Sequence, residues 1–359
     1  MNYLQMIFSF IWNNLTAFFG AVAAACFLAC LVLLAAELLS YHSKKKQGGA
    51  VGDSGAGSQQ GGAAGDSGIL GQQEAAIDNP CGAKRQENVA LDAGHRGRRM
   101  RIALVTGASS GMGREFARCI DRTEAEMDEI WLVARRRERL EEAASQLTHP
   151  ARIIPMDLTK AENIEELENL LKPVRVGIFV NCAGYAKIGN YEKVSRFDSD
   201  HMIDLNCKAA VNMTLAVLPY MQAGDRILEL CSTSSFQPVP HLNIYAAGKA
   251  FLYSYTRALR MELLPRGIVV TAVCPWWVAD TEFLPIAKDN AANPDFEKSI
   301  RGFLLPSKKE TVVRRALRAS RMGFAVSTPG IMCFLHRLFS KLIPRTGMIY
   351  LWEIMRRLG

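Results

Sequence analysis

No Cys-x-x-Cys pair occurs in the 359 residues, and the six histidines do not cluster. A metal site of the usual ligand spacing is therefore not expected. The cysteine count, nine, is odd. Cys182, Cys207, Cys231 and Cys274 fall in stretches that read as core, so they read as buried thiols in a reducing compartment and not as a disulfide framework. No internal repeat is present, which argues against solenoids and propellers. Ahead of residue 17 there is no Lys or Arg, so the basic start of a secretory signal is missing. Net positive charge is also lacking over most of the chain. The formal charge is +8, yet residues 308–359 alone hold eleven basic and two acidic side chains. The basic excess thus belongs to the tail, which is also rich in Leu, Ile, Phe, Met and Trp. That pairing suits an anionic membrane surface better than nucleic acid, and no nucleic-acid partner is expected.

What the first third contains is a long apolar run. Ala17 to Ala36 is uncharged and about one bilayer thickness long as a helix. Glu37 is its first charge, and Lys44, Lys45 and Lys46 follow. The expectation is a single-pass transmembrane helix over about 17–40, within an anchor of residues 1–46. Its lysines place the C-terminal side in the cytoplasm. A cleaved or buried hydrophobic helix is the alternative. Residues 47–98 turn to Gly, Ala, Ser and Gln, a composition that reads as a flexible linker.

From Arg101 the texture changes. RIALVTG reads as a buried parallel strand, followed by a helix, the strand Ile130–Ala134, and a charged helix over 137–146. A strand ending near Met156, a helix over 161–171 and the strand VGIFVNCAG come next. A helix from about Asn206 to Met221, RILELCS, a helix around Tyr245 and IVVTAVCP complete the alternation. The predicted fold class is α/β, a doubly wound parallel sheet with helices on both faces. Ser307-Lys-Lys-Glu310 reads as a capping box opening one more helix. The tail over 324–358 is amphipathic and broken by Pro329 and Pro344. It would either dock on a membrane or form a helix pair that completes the domain or a dimer interface.

TGASSGMG stands directly after the first strand, where a helix begins. Gly107, Gly111 and Gly113 permit a tight turn and the close approach of a pyrophosphate, with the helix N-terminus facing it. Thr106, Ser109, Ser110 and Met112 complete this expected cofactor cradle. The second strand ends in ARRRERL, where an acidic residue would favour a ribose 2′-hydroxyl. Arg135 and Arg136 stand there instead, which predicts NADP(H) over NAD(H); a solvated helix start is the bland alternative. In NIYAAGKAF, Tyr245 and Lys249 lie one helical turn apart on one side. An ammonium in that place would lower the phenol's pKa and make a proton donor.

These motifs, with Asp157 in MDLT, NCAG at 181–184, Asn206 in IDLNCKAA and Ser232, resemble the short-chain dehydrogenase/reductase family in order and spacing. The resemblance covers about residues 100–280 and implies a Rossmann-like catalytic domain over 99–322, with 323–359 as a basic amphipathic extension. It implies that Tyr245 is the general acid–base, that Lys249 tunes it and binds the nicotinamide ribose, and that Ser232 holds the substrate oxygen, with Ser234 as a fallback. Asn206 would hold a water beside Lys249. Asp157 and Leu158 would meet the adenine; Asn181, Ala183 and Gly184 would stabilise the central sheet and line the cofactor cleft; Pro275, Val278 and Thr281 would meet the nicotinamide side.

Two departures stand out. Cys182 replaces an asparagine of the motif, and Trp276 occupies a place where relatives carry glycine, so its backbone is expected to be strained. Residues 283–305 read as a substrate lid. The implied activity is interconversion of a ketone and a secondary alcohol on a lipophilic, steroid-like or fatty-acyl-like substrate at a membrane, by an enzyme whose relatives are commonly dimers or tetramers. The alternatives are an NAD-linked alcohol dehydrogenase and a non-catalytic NADPH-binding sensor or scaffold.

Overall fold

Alternate residues of a strand point to opposite sides, and in Met100–Thr106 (β1) both sides are apolar. Ile102 and Leu104 enter one buried cluster, while Ala103 and Val105 enter another. A strand buried on both faces needs helices on both faces. The computed structural model, which describes residues 98–288 and 306–358, supplies them. The expected membrane helix at 17–40, nearly all of the 47–98 linker and most of the 283–305 lid lie outside the described residues. Among those described, no helix is long and apolar enough to cross a membrane.

The elements follow in chain order. After β1 come α1 (Gly111–Thr123), β2 (Glu129–Ala134), α2 (Arg137–Ala144), β3 (Ala151–Pro155), α3 (Ala161–Leu171) and β4 (Val174–Asn181). Then come α4 (Arg196–Ile203), α5 (Ala210–Val217), β5 (Arg226–Leu230), α6 (Asn243–Leu263) and β6 (Val269–Val273). The chain ends in α7 (Phe283–Lys288), α8 (Lys309–Arg321), β7 (Val326–Ser327), α9 (Ile331–Leu342) and α10 (Arg345–Leu358). All seven strands are parallel, in the order β3-β2-β1-β4-β5-β6-β7. The order reverses between β1 and β4, so a crevice opens above their carboxyl ends.

Each face has its own core. Leu167 of α3, Met213 of α5 and Leu259 of α6 pack on Leu104, Phe179 and Ile227. On the other side Phe116 and Ile120 of α1, Leu140 of α2 and Leu317 of α8 cover Val105, Ile178 and Leu228. Burying each of these large side chains contributes about 1.5–3 kcal/mol. One irregularity interrupts the pattern: β1 pairs Ile102 with Val176 but Ala103 with Ile178, so Gly177 is bulged out and the facing of β4 switches.

Two elements depart from the sequence expectations. The helix expected from Asn206 begins earlier, at Arg196, where Ser195 Oγ accepts the Asp198 N–H at 3.0 Å. It then passes through a π-turn, Asp204–Ala209, before α5. The Ser307 capping box does not form. Ser307 instead pairs with the loop after β6, donating its N–H to the Trp277 carbonyl at 2.7 Å, so Lys308 is the N-cap residue of α8. The cap bond comes from Asp280, whose Oδ1 accepts the Lys309 N–H at 3.0 Å. The tail helices α9 and α10 flank Pro344 and bury Cys333, Met348 and Trp352. Their other faces leave Ile331, Phe334, Leu338, Leu342, Tyr350 and Ile354 exposed.

Glu229 of β5 is wholly buried; Thr214 Oγ1 donates to its Oε1 at 2.7 Å, and its Oε2 has no hydrogen-bond partner among the described residues. Burial pushes its carboxyl up to about 7, against the opposing hydrogen bonds of Thr214 and Asn181 and the charge of Lys249. The folded state therefore favours the protonated form, against an ordinary value of 4.5. The resulting stabilisation is complete below the ordinary value and is lost as pH rises through about 7. Thermal melts from about pH 5 to about pH 8 should show Tm falling with pH, and Glu229→Gln should flatten that fall. Equal slopes for the two proteins would contradict the assignment.

Candidate active site

The turn after β1 is set by crowding. Gly107 has φ +68°, and a Cβ there would stand 3.0 Å from the Ala183 backbone. At Gly113 a Cβ would come within 2.2 Å of the Gly107 carbonyl oxygen. The turn thus leaves its backbone bare beside the first turn of α1, whose N-cap residue, Ser110, makes no side-chain capping bond. Unsatisfied N–H groups and the helix dipole face outward there, which is an anion site by construction.

A cleft of about 370 Å³ runs from this turn across the strand ends. One wall holds Ser109, Ser110, Met112, Arg135, Arg136, Asp157 and Leu158. Asp157 Oδ1 accepts the Thr159 N–H at 3.0 Å and the Thr159 hydroxyl at 2.8 Å. Burial raises that carboxyl, but these bonds outweigh it and hold it below its ordinary value. Ala183 and Gly184 line the middle, and Pro275, Val278 and Thr281 line the opposite wall. Thr281 stands across from Gly111.

Ser232, Tyr245 and Lys249 come together on the floor of the cleft. Tyr245 and Lys249 lie on one face of α6, with Lys249 Nζ 5.7 Å from the phenol ring centroid. The Ser232 side chain lies close enough to the Tyr245 phenol to favour its ionised form, and its Oγ accepts the Ser234 N–H at 3.1 Å. Ser234 also lines the cleft, but its own Oγ is buried without a hydrogen-bond partner among the described residues. The expectation of a lowered phenol pKa is overturned. Burial pushes the Tyr245 phenol well above its ordinary value, against the Ser232 side chain. Lys249 Nζ donates to the Leu230 carbonyl at 2.6 Å, and burial lowers its own pKa.

Three expected site residues sit behind the cleft wall and do not line it. Thr106 Oγ1 donates to Asn181 Oδ1 at 3.1 Å and accepts the N–H groups of Cys182 and Ala183 at 2.9 and 3.0 Å. Asn181 Nδ2 donates to the Ala210 carbonyl at 2.9 Å. Asn206, in the π-turn, both donates to the Tyr185 carbonyl, at 2.8 Å, and accepts the Tyr185 N–H, at 3.1 Å. All three hold the wall in place from buried positions. The expected strain at Trp276 is absent too. Among the described residues His241 is the one non-glycine with positive φ, and the Trp276 N–H donates to Cys333 Sγ at 3.1 Å.

Residues 101–291 match the family model for short chain dehydrogenases. The chain belongs to the short-chain dehydrogenase family. An uncharacterized oxidoreductase of Staphylococcus epidermidis is 37% identical over 188 residues, which are 50% of this chain and 78% of the relative. Among solved structures, a short-chain dehydrogenase from Sphingobium yanoikuyae in complex with NADPH is similar with a TM-score of 0.57 and 27% identity, over 70% of this chain and 95% of that one. A short chain dehydrogenase from Burkholderia cenocepacia in complex with NADP gives a TM-score of 0.52 and 25% identity, over 64% and 96%. With the family comes the enzyme class, a nicotinamide-dependent dehydrogenase/reductase.

The far end of this dehydrogenase's cleft was legible only in part: the Trp276–Trp277 pair reads as a wall for a flat apolar substrate, while His336 and Trp352 carry no such signal. It is walled by Trp276, Trp277, Phe283, His336 and Trp352. The Phe283 ring centroid is 5.5 Å from that of Tyr245, and the His336 ring is 5.4 Å from Trp276. His336 Nε2 is 2.8 Å from Gln237 Oε1, and burial holds the imidazole down to about 4, so it is neutral. Trp352 Nε1 donates to the Pro240 carbonyl at 3.3 Å. Helices α9 and α10 therefore build one wall of the site. The i, i+4 pairing of Met348 with Trp352, both buried, was the available signal.

Gly113→Ala places a methyl against the Gly107 carbonyl, an overpacking expected to lower Tm by roughly 3–10 °C and to weaken dinucleotide binding in titration calorimetry. Unchanged Tm and affinity would contradict the close-approach reading of the turn.

Proposed function

We propose that the enzyme interconverts a lipophilic ketone and its secondary alcohol, using NADP(H) in preference to NAD(H). The observation that carries this reading is the meeting of Ser232, Tyr245 and Lys249 between an anion-binding glycine turn and an aromatic wall. The bare turn, the free α1 N-terminus and the two arginines fit a dinucleotide phosphate group. The NADPH and NADP complexes of the Sphingobium and Burkholderia enzymes lend support.

When bound, the nicotinamide supplies or accepts the hydride. In the reducing direction Tyr245 donates its hydroxyl proton to the carbonyl oxygen as the carbonyl carbon gains hydride, and is reprotonated from solvent. Burial keeps the phenol protonated, the form that role starts from, while weakening it as an acid. In the oxidising direction Tyr245 takes the alcohol proton. Ser232 holds the reacting oxygen through its hydroxyl, and Lys249 presents an ammonium anchored on Leu230 to stabilise charge developing on Tyr245. Trp276, Trp277, Phe283 and Trp352 offer flat apolar surface to the substrate, and the neutral His336 adds no charge to it.

In the same reading residues about 17–40 anchor the chain in a membrane by a single pass, with the catalytic domain on the cytoplasmic side. The uncharged run, the lysines at 44–46 and the exposed apolar faces of α9 and α10 support this location. A lipophilic substrate partitions into the same phase.

The test is oxidation of NADPH by the full chain with ketones of rising apolar bulk. Turnover should rise with apolar area, and Tyr245→Phe should cost on the order of 10²–10⁴ in kcat while leaving NADPH binding intact. Full activity of that variant, or preference for small polar carbonyls, would contradict the proposal.

A further inference from the structure

The arginines after β2 meet a carboxylate that the sequence does not place near them. Arg139 donates to Glu282 Oε1, a partner 143 residues away. Arg136 Nη2 lies 3.6 Å from the other oxygen of the same carboxylate. The same Nη2 also donates to Ser109 Oγ at 3.3 Å and Ser110 Oγ at 3.5 Å. Ser109, Ser110, Arg135, Arg136 and Glu282 all line the cleft.

Guanidinium groups and serine hydroxyls beside a helix N-terminus form a donor set suited to a phosphate. Here that set already holds an anion, and the anion belongs to the protein. Burial raises the Glu282 carboxyl, but the Arg139 hydrogen bond and the charges of Arg139 and Arg136 outweigh it, so it is ionised at neutral pH. The ion pairs are also reachable by solvent, since Arg136, Arg139 and Glu282 expose 46%, 41% and 41% of their side chains. Such pairs exchange partners at small cost. Glu282 directly follows Thr281, which faces Gly111, and directly precedes α7, whose Phe283 ring lies tilted against that of Tyr245 with centroids 5.5 Å apart.

We propose that Glu282 is a specificity-determining internal counter-anion, which occupies Arg136 and Arg139 until the 2′-phosphate of NADP(H) takes its place. The inference rests on the dinucleotide reading of the cleft. NADP(H) must displace the carboxylate, whereas NAD(H), with a 2′-hydroxyl, leaves it where it is. Glu282 therefore narrows the preference that the arginines create.

The test is equilibrium titration of the full chain with NADPH and with NADH, read by energy transfer from tryptophan to the reduced nicotinamide. Glu282→Gln is nearly isosteric and carries no charge. It is expected to tighten NADPH binding about three- to tenfold, the range for two half-exposed ion pairs, and to change NADH binding by less than about twofold. Glu282→Asp, which keeps the charge, should stay close to the wild-type ratio. In an Arg136→Ala background the gain from E282Q should shrink to under about twofold. If both nucleotides bind but E282Q leaves their affinity ratio unchanged, or weakens NADPH, the counter-anion role is wrong while the dinucleotide site stands. If neither nucleotide binds the wild-type chain, the dinucleotide reading falls and this inference with it.

Discussion

One hydroxyl holds the working end of this enzyme together. Thr106, the last residue of β1, is fully buried and bridges to β4 by one donated and two accepted hydrogen bonds. Each such bond contributes about 0.5–1.5 kcal/mol net, and leaving its partners unpaired in the interior costs more. Asn181 extends the bridge to the Ala210 carbonyl at the start of α5. The bridge lies where the strand order reverses, so it fixes the two sides of the crevice to each other. Gly107 can then rest against Ala183 only because neither strand end is free to move apart.

The two ends of the sheet are built from different materials. At the edge away from the cleft, ions hold the elements together. Arg226 donates to Glu124 Oε2 at 2.6 Å, and Arg321 of α8 donates to Glu124 Oε1 at 3.0 Å. Asp225 takes both Arg101 and Arg175, at 3.4 and 2.8 Å. Removing one partner of such a buried set typically costs about 3–5 kcal/mol, because the other charge is left stranded. The cleft end instead buries groups that burial pushes toward neutrality: a raised phenol at Tyr245, a lowered ammonium at Lys249 and a neutral His336. Burial around the reacting groups lowers the solvent reorganisation that accompanies a proton moving with the hydride.

Local patterns were legible before any coordinates. The apolar runs of β1 and β4, the glycine turn and the Tyr245–Lys249 spacing each depend on residues close in sequence, and they led to the right fold and cleft floor. What escaped was set by distant contacts. Nothing near Glu282 announces Arg136, and nothing near Trp352 announces Pro240. Asp280 took over the α8 cap only because Ser307 was claimed by backbone pairing with the loop after β6. The two-residue β7 is too short for any period. The direction of the Tyr245 shift was misread because spacing reports that an ammonium is near, but not how deeply both groups are buried. Residues 17–40 and most of 283–305 lie outside the described residues, so their expected roles rest on composition alone.

The central claim is that the crevice held by Thr106 presents a dinucleotide's nicotinamide to the floor where Tyr245 stands. The most direct measurement is single-turnover reduction of an apolar ketone with two NADPH preparations, each deuterated at C4 on a different prochiral face, followed by mass analysis of the alcohol from each. The account predicts that deuterium from one face alone reaches the carbinol carbon. Label from both faces equally, or none in the product, would contradict it.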